Sequence, residues 1–402
     1  MKLVGARLLD GTGRDPVERV TVTVQDDRIT EIAEGVATTR DDEVVDVEGL
    51  TLMPGIINAH THLGGVALLD HTMPAGVVAA WIFEHCRRSI DLGITTCRET
   101  GALDGGVVEA IEAGILPGPR ILPAGPGIVQ TGGHGDFGPI YAEDPCAHHA
   151  GVPGLAVLST IANGPDEVRA AARLAFKRGA KFLKMFITGG VTSLSDSLED
   201  TQFSVEEMRA AVDEANARHT YVTAHTHNNT AIMRGIEAGI ACFEHGTALD
   251  EPTAAAMATA GAALVPTLTV AHLYRENTFL PQAVIDRIEL VEPGMRNAIK
   301  LAHAAGVLVG SGADLIGPNQ SRYNLEIALV AEMVGAMQAI KTATLDNAKV
   351  LRIADLVGSV EVGKLADLIA VDGDPLDEPL LLDNPTNVRW VAKAGKVMKA
   401  AL

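Results

Sequence analysis

Between residue 53 and about 350, short β-branched or apolar runs alternate with Ala-rich stretches of helical period. Eight runs have the character of strands: GIINAHTH, GITTCRET, RILPAGPGIV, KFLKMFI, YVTAHTH, ACFEHG, ALVPTLTV and VLVGSGAD. Between several of them lie DEVRAAARLAFKRGA, SVEEMRAAVDEANARH and GMRNAIKLAHAAG, whose apolar residues recur three or four apart as on one helix face. Repeated strand–helix units predict an α/β fold, a closed (β/α)8 TIM barrel over 53–355. Ser204 followed by Glu207 is a capping-box pattern, and Gly179, Gly239, Gly261 and Gly306 stand where left-handed helix ends would fall. Residues 125–160 and 266–296 interrupt the pattern and are expected to be long loops that shape a pocket.

At both ends the period changes to two, in VTVTVQDDRITEIAEG near the start and in GSVEVGKLADLIAVDG and VRWVAKAGKVMK near the end. Neither end is long enough to bury a core alone. Residues 1–52 and 356–402 are therefore expected to pair into one small, discontinuous β-sandwich domain beside the barrel.

Composition refines this picture. Hydrophobic residues make up 47% of the chain and aromatics only 3%, so the interior must be packed with Ala, Val, Leu and Ile. A formal charge of −19 repels phosphate backbones and anionic lipid, which argues against nucleic acid and membrane surfaces as partners. There is no run of about 18 or more apolar residues, and MKLVGARLLDGTGRD turns polar within ten residues. Cys86, Cys97, Cys146 and Cys242 are widely separated, as unpaired thiols in a reducing compartment would be, and a cytoplasmic location is expected.

The candidate chemistry lies at the strand ends. His60 and His62 are two apart on the first strand, so both imidazoles leave the same face and can grip one ion. Lys184 shares strand parity with Phe182 and Phe186, whereas Lys181 points the other way, so one of these lysines must face inward. His225 and His227 end the fifth strand, His245 the sixth and Asp314 the eighth. Each has an ordinary alternative: histidine pairs occur on exposed strands, lysines snorkel or form salt bridges, and Asp caps helices. Their joint occurrence at carboxyl ends, where barrel active sites are built, is what argues for a metal centre.

PGIINAHTHL, KMFITGG with Lys184, AHTH with His225, FEHG with His245 and SGAD with Asp314 together resemble the amidohydrolase superfamily, and the likeness extends to GKLADLIAVDGDPL in the terminal domain. Its two-metal branch implies that His60, His62 and Asp314 bind a buried divalent ion and His225 and His245 an outer one, zinc being the expected metal. Lys184, N-carboxylated by CO2, would bridge the two. The resemblance further implies a metal-bridging hydroxide as nucleophile, with Asp314 as proton shuttle. Mono-metal deaminases of the superfamily lack this lysine, so its presence argues for hydrolysis of an amide-like bond. His134, in TGGHGD, resembles a histidine that the prolidase-like dipeptidase branch uses on substrate. That branch also matches TGGVTSLSDSLEDTQFS and VPTLTV, but where it commonly has a tyrosine two residues after the strand-five histidine, this chain has His227. Arg322, Tyr323 and Arg275 are further candidates to meet a substrate carboxylate. The expected protein is a homo-oligomer that hydrolyses a small molecule: a dipeptide, an N-acyl amino acid or an amide-linked aryl compound. Cyclic-amide or imide hydrolysis, carbamate or urea hydrolysis, and a non-catalytic scaffold remain alternatives.

Overall fold

The computed structural model describes residues 1–402 other than 37, 39–42, 69–71, 137, 139–150, 153, 194, 276–280 and 319. Eight parallel strands form the barrel: β1 (Ile56–Thr61), β2 (Ile94–Glu99), β3 (Arg120–Pro123), β4 (Leu183–Phe186), β5 (Val222–Thr226), β6 (Cys242–His245), β7 (Ala263–Val265) and β8 (Leu308–Val309). β1, β2 and β3 pair in that order, and β4 to β8 pair in sequence order. Backbone bonds close the ring, from Lys181 N–H to the Pro123 carbonyl at 2.8 Å and from Ala59 N–H to the Ser311 carbonyl at 2.9 Å. The strands are rich in Val, Ile and Thr and buried on both faces, which suits parallel strands covered by helices.

The third strand is shorter than RILPAGPGIV suggests. It ends at Pro123, and a separate strand, Gly127–Val129, pairs with β4 and with Ser159–Ile161. Pro126 has no N–H to donate and Gly125 turns the chain through φ 69°, so the run breaks in two. The seventh strand likewise ends at Val265, before Pro266, and Leu268–Arg275 is helical. Glu326 caps that helix from a distant element, accepting from the N–H groups of Leu268 (3.0 Å) and Thr269 (2.7 Å). The expected loop over 266–296 is thus largely two helices, the second being Gln282–Ala305, which accommodates Pro293. Of the expected 125–160 loop, residues 137 and 139–150 lie outside the described residues, as does Cys146. Cys86, Cys97 and Cys242 are buried free thiols.

Helix boundaries follow local chemistry. Ser204 and Glu207 make a reciprocal capping box, and Gly179, Gly239, Gly261 and Gly306 all have positive φ at helix ends. Strands from both ends of the chain form one hydrogen-bonded sheet of eight, in which Leu50–Pro54 pairs antiparallel with Leu368–Asp372. It encloses a core of its own, with Leu3, Val22, Leu52, Leu368 and Trp390 buried together. Its other face sets Ile369, Val371 and Val388 against barrel residues such as Ile90 and Ile94. Among the described residues no helix is long and apolar enough to cross a membrane.

Candidate metal centre

Alternation along β1 and just beyond it turns Asn58, His60 and His62 to one side. Asn58 Oδ1 accepts from the N–H groups of His60 and Ala313, both at 3.2 Å, and the Asp314 N–H donates to the His60 carbonyl at 3.0 Å. These bonds lock the end of β1 to the segment that carries Asp314. A Cβ at Gly312 would come within 2.3 Å of the His60 Cβ, so only glycine permits the approach.

The His62 Nδ1–H donates to the Gly101 carbonyl at 2.9 Å, and His60 Nδ1 lies 2.7 Å from Glu244 Oε2. These partners assign the proton to Nδ1 in both rings and leave each Nε2 lone pair directed at the cleft. The two Nε2 atoms are 3.3 Å apart and lie 3.2 Å (His60) and 3.1 Å (His62) from Asp314 Oδ1. Three potential ligand atoms thus converge within 4.8 Å of one another.

The other histidines form a contiguous wall. Ring centroids are 5.2 Å apart for His60 and His245, 4.5 Å for His225 and His245, and 4.6 Å for His225 and His227. Each ring has an anchor: His225 Nε2 donates to the Gly189 carbonyl at 3.2 Å, His245 Nδ1 pairs with Thr267 Oγ1 at 2.7 Å, and His227 Nδ1 pairs with Thr247 Oγ1 at 2.7 Å. His245 and Asp314 both adopt positive φ, 68° and 54°. Such strain in non-glycine residues persists where surrounding structure enforces it. At residue 245 it lets two successive residues, Glu244 and His245, both reach the barrel interior. Lys184 is 1% exposed, with its ammonium 5.0 Å from the Phe186 ring centroid, whereas Lys181 is exposed.

The electrostatics suit cation binding. Burial, reinforced by neighbouring imidazoles, holds His225 well below its ordinary value. Burial likewise holds His245 well below, outweighing Asp314. Both imidazoles are therefore neutral, the form that coordinates metal. Burial would raise Asp314, but the charges and hydrogen bonds of His60 and His62 keep it well below the usual carboxylate range. His62 is raised: burial opposes its charge, yet Asp314 and Glu99 outweigh burial. The field that favours a proton there equally favours a metal ion in its place. Lys184 falls to about 8, chiefly through burial and against the pull of Glu244 and Asp314.

Of the residues singled out in the sequence, His60, His62, Lys184, His225, His245, Asp314, His134 and His227 all line one cleft. The His134 ring lies 4.4 Å from that of His225, tilted by 31°, and its buried Nδ1 finds no partner among the described residues. A Cβ at Gly190 would lie 2.2 Å from His134 Cε1, so this imidazole occupies space that only glycine leaves. Arg322 is not brought there. Its guanidinium binds Asp383 of the terminal segment, because the loop that carries it folds against residues 379–383. Arg275 pairs with Glu292 at 2.8 Å, and the Tyr323 hydroxyl donates to Gln320 at 2.9 Å.

Three residues beside the site, Glu244, Arg98 and Arg287, are not singled out by the sequence patterns. Glu244 joins His60 to Arg98, whose Nη2 lies 2.6 Å from Glu244 Oε1, and both side chains are fully buried. An acid and a base inside apolar strands, FEHG and TTCRET, were the available signal. Arg287 clasps the loop after β4, donating to the carbonyls of Gly190 (2.7 Å), Ser193 (2.5 Å) and Asp196 (2.7 Å).

A family model described as "Amidohydrolase family" matches residues 51–398. The chain belongs to the amidohydrolase family. Among curated members it is 30% identical over 366 residues to ochratoxinase of Aspergillus niger, covering 87% of this chain and 75% of that one. A solved prolidase complexed with N-methylphosphonate-L-proline matches with a TM-score of 0.93 and 31% identity over 99% of each chain. A Xaa-Pro dipeptidase with methionine bound in its active site gives 0.89 and 31% identity over 98% of each chain. These neighbours share the amidohydrolase barrel, and the family generally works with divalent metals, which the convergence of His60, His62 and Asp314 suits.

Proposed function

We propose that this amidohydrolase is a two-metal hydrolase of amide or peptide-like bonds in small molecules. His60, His62 and Asp314 would hold one ion and His225 and His245 a second, with Lys184, once N-carboxylated, as a shared ligand and zinc as the metal. The observation that carries the reading is the pair of Nε2 atoms on His60 and His62, 3.3 Å apart and both aimed at Asp314. Their opposite nitrogens are already committed, so these lone pairs are set for a cation. Lys184 supports the bridge because burial lowers its amine to about 8, which raises the neutral fraction near physiological pH, the form that combines with CO2 to give a carbamate and a proton.

When bound, the ions supply an acidified water and a polarised carbonyl. The chain's residues do the rest. Asp314 Oδ2 receives the proton of the attacking water and passes it to the leaving nitrogen, so that amide and water become acid and amine. His134 and His227 face the substrate from the cleft wall, His134 through a ring nitrogen that has no partner among the described residues. Glu244 and Gly101 keep the ligand imidazoles in the correct tautomer. The named relatives, a prolidase, a Xaa-Pro dipeptidase and an ochratoxinase, point to the same bond class.

The test combines metal analysis of the purified protein with a hydrolysis screen of dipeptides, N-acyl amino acids and aryl amides using metal-replete enzyme. About two divalent ions per chain and release of amine from one class are expected. One ion or none after loading, with no amine released, would overturn the reading.

A further inference from the structure

The cleft is lined by two unlike sets of side chains. One set is the histidines with Lys184 and Asp314, and the other includes Leu68, Val270, Ile288, Val291, Met295 and Ile316. Three of these, Ile288, Val291 and Met295, recur at helical spacing on Gln282–Ala305 and present one apolar face to the cavity.

The arginines on the segments that carry these side chains are engaged elsewhere. Arg287 gives its guanidinium to backbone carbonyls of the loop after β4. Arg275 and Arg296 both bind Glu292, at 2.8 and 3.1 Å, and Arg322 binds Asp383. Among the described residues, Lys184 is the one lysine or arginine lining the cleft. The remaining polar groups on the walls, Thr192, Tyr274 and the imidazoles of His134 and His227, offer single hydrogen bonds and no paired charge. A carboxylate bound against these apolar side chains, away from the histidine cluster, would lose its hydration without gaining a lysine or arginine partner among the described residues, which is strongly unfavourable. The net charge of −19 also repels an approaching anion.

We infer that the substrate is uncharged: a neutral amide with a bulky apolar or aromatic substituent, lacking the free carboxylate of a dipeptide or an N-acyl amino acid. This rests on the amide-hydrolase reading above and narrows its substrate class.

The test uses metal-replete, full-length enzyme and a matched pair, N-benzoyl-L-phenylalanine and its C-terminal N-methylamide, with loss of the benzoyl group followed by chromatography. The methylamide is expected to show a kcat/KM at least about tenfold higher, mainly through KM. Ile288→Lys, or Met295→Lys if the first variant does not fold, should reverse that preference by placing an ammonium on the apolar face. Equal or faster cleavage of the acid overturns the inference. If neither compound is cleaved, calorimetric binding of the same pair decides. Tighter binding of the methylamide by about tenfold upholds the substrate class while counting against hydrolysis. Equal binding, or binding of neither, overturns the class.

Discussion

His60 Nδ1 lies 2.7 Å from Glu244 Oε2, with both side chains closed off from solvent. Burial alone would raise the Glu244 carboxyl, but Arg98 and His60 hold it far below its ordinary value. Glu244→Gln keeps the shape while removing the charge that orients His60 and neutralises Arg98. Metal affinity should fall by about 10–100-fold, as measured by competition with a chelator. The thermal midpoint should drop as well, because Arg98 is left buried without its partner. Unchanged metal affinity in a folded variant would show that His60 keeps its orientation by other means.

Lys184→Ala removes the proposed bridge between the two ions. Activity should vanish, and acetate or propionate should restore part of it, since a carboxylate can take the place of the carbamate. The cavity left by a side chain only 1% exposed gives such small acids a site. Full activity without added acid would remove Lys184 from the centre.

The barrel and its polar strand ends were legible because they follow local periodicities. β1, β2, β4, β5, β6 and β8 lie within the runs that alternation and β-branching mark, and the parity argument separates the buried Lys184 from the exposed Lys181. The errors arise where a distant residue decides the outcome. Leu268–Arg275 is capped by Glu326, 58 positions from Leu268, and Pro293 reads as a breaker although its helix continues to Ala305. Arg287 acts on backbone carbonyls nearly a hundred residues earlier, a relation that no spacing encodes. Arg322 reads as available for a substrate only because its partner, Asp383, lies 61 positions later in the terminal segment.

The fold carries a pH dependence of its own at Glu326. Burial pushes its carboxyl up to about 8, against the pull of the donors on Leu268 and Thr269. The folded state therefore retains a proton that the unfolded chain loses near the ordinary value of 4.5. Its contribution to stability is full below 4.5 and is lost as pH rises through about 8. Within that window the slope approaches about 1.4 kcal/mol per pH unit. Urea denaturation at several pH values should show stability falling across the range, and Glu326→Gln should flatten the curve. An equally steep curve in the variant would assign the dependence to another group.

His134 and His227 line the cleft, each beside His225, with centroids 4.4 and 4.6 Å from it. Replacing either by Ala should lower kcat/KM while metal content stays constant. Gly190→Ala tests the same geometry from outside, because its new methyl must displace the His134 ring. That variant should reproduce the kinetic defect of His134→Ala. Loss of metal in any of the three would move the affected imidazole into the coordination shell.

Asp314 is asked to do two things, to coordinate and to carry a proton. Its Oδ1 lies near both Nε2 atoms of His60 and His62, while Oδ2 lies 3.9 Å from His245 Nδ1. One oxygen thus belongs to the ligand cluster and the other faces the second histidine group. Asp314→Asn retains an oxygen that can coordinate, but its amide cannot accept the proton of the attacking water. Metal content should therefore survive largely intact while kcat falls by roughly 10²-fold or more, the usual share of general base catalysis. Because the positive φ of 54° suits Asn as well as Asp, backbone strain should not add to the defect. Asp314→Ala, which cannot coordinate, should lose metal as well as rate and so separates the two roles. If the Asn variant keeps its metal and turns over at nearly the wild-type rate, Asp314 serves as a ligand alone. The proton then travels through His134 or His227, and the double variants with Asn at 314 would show which.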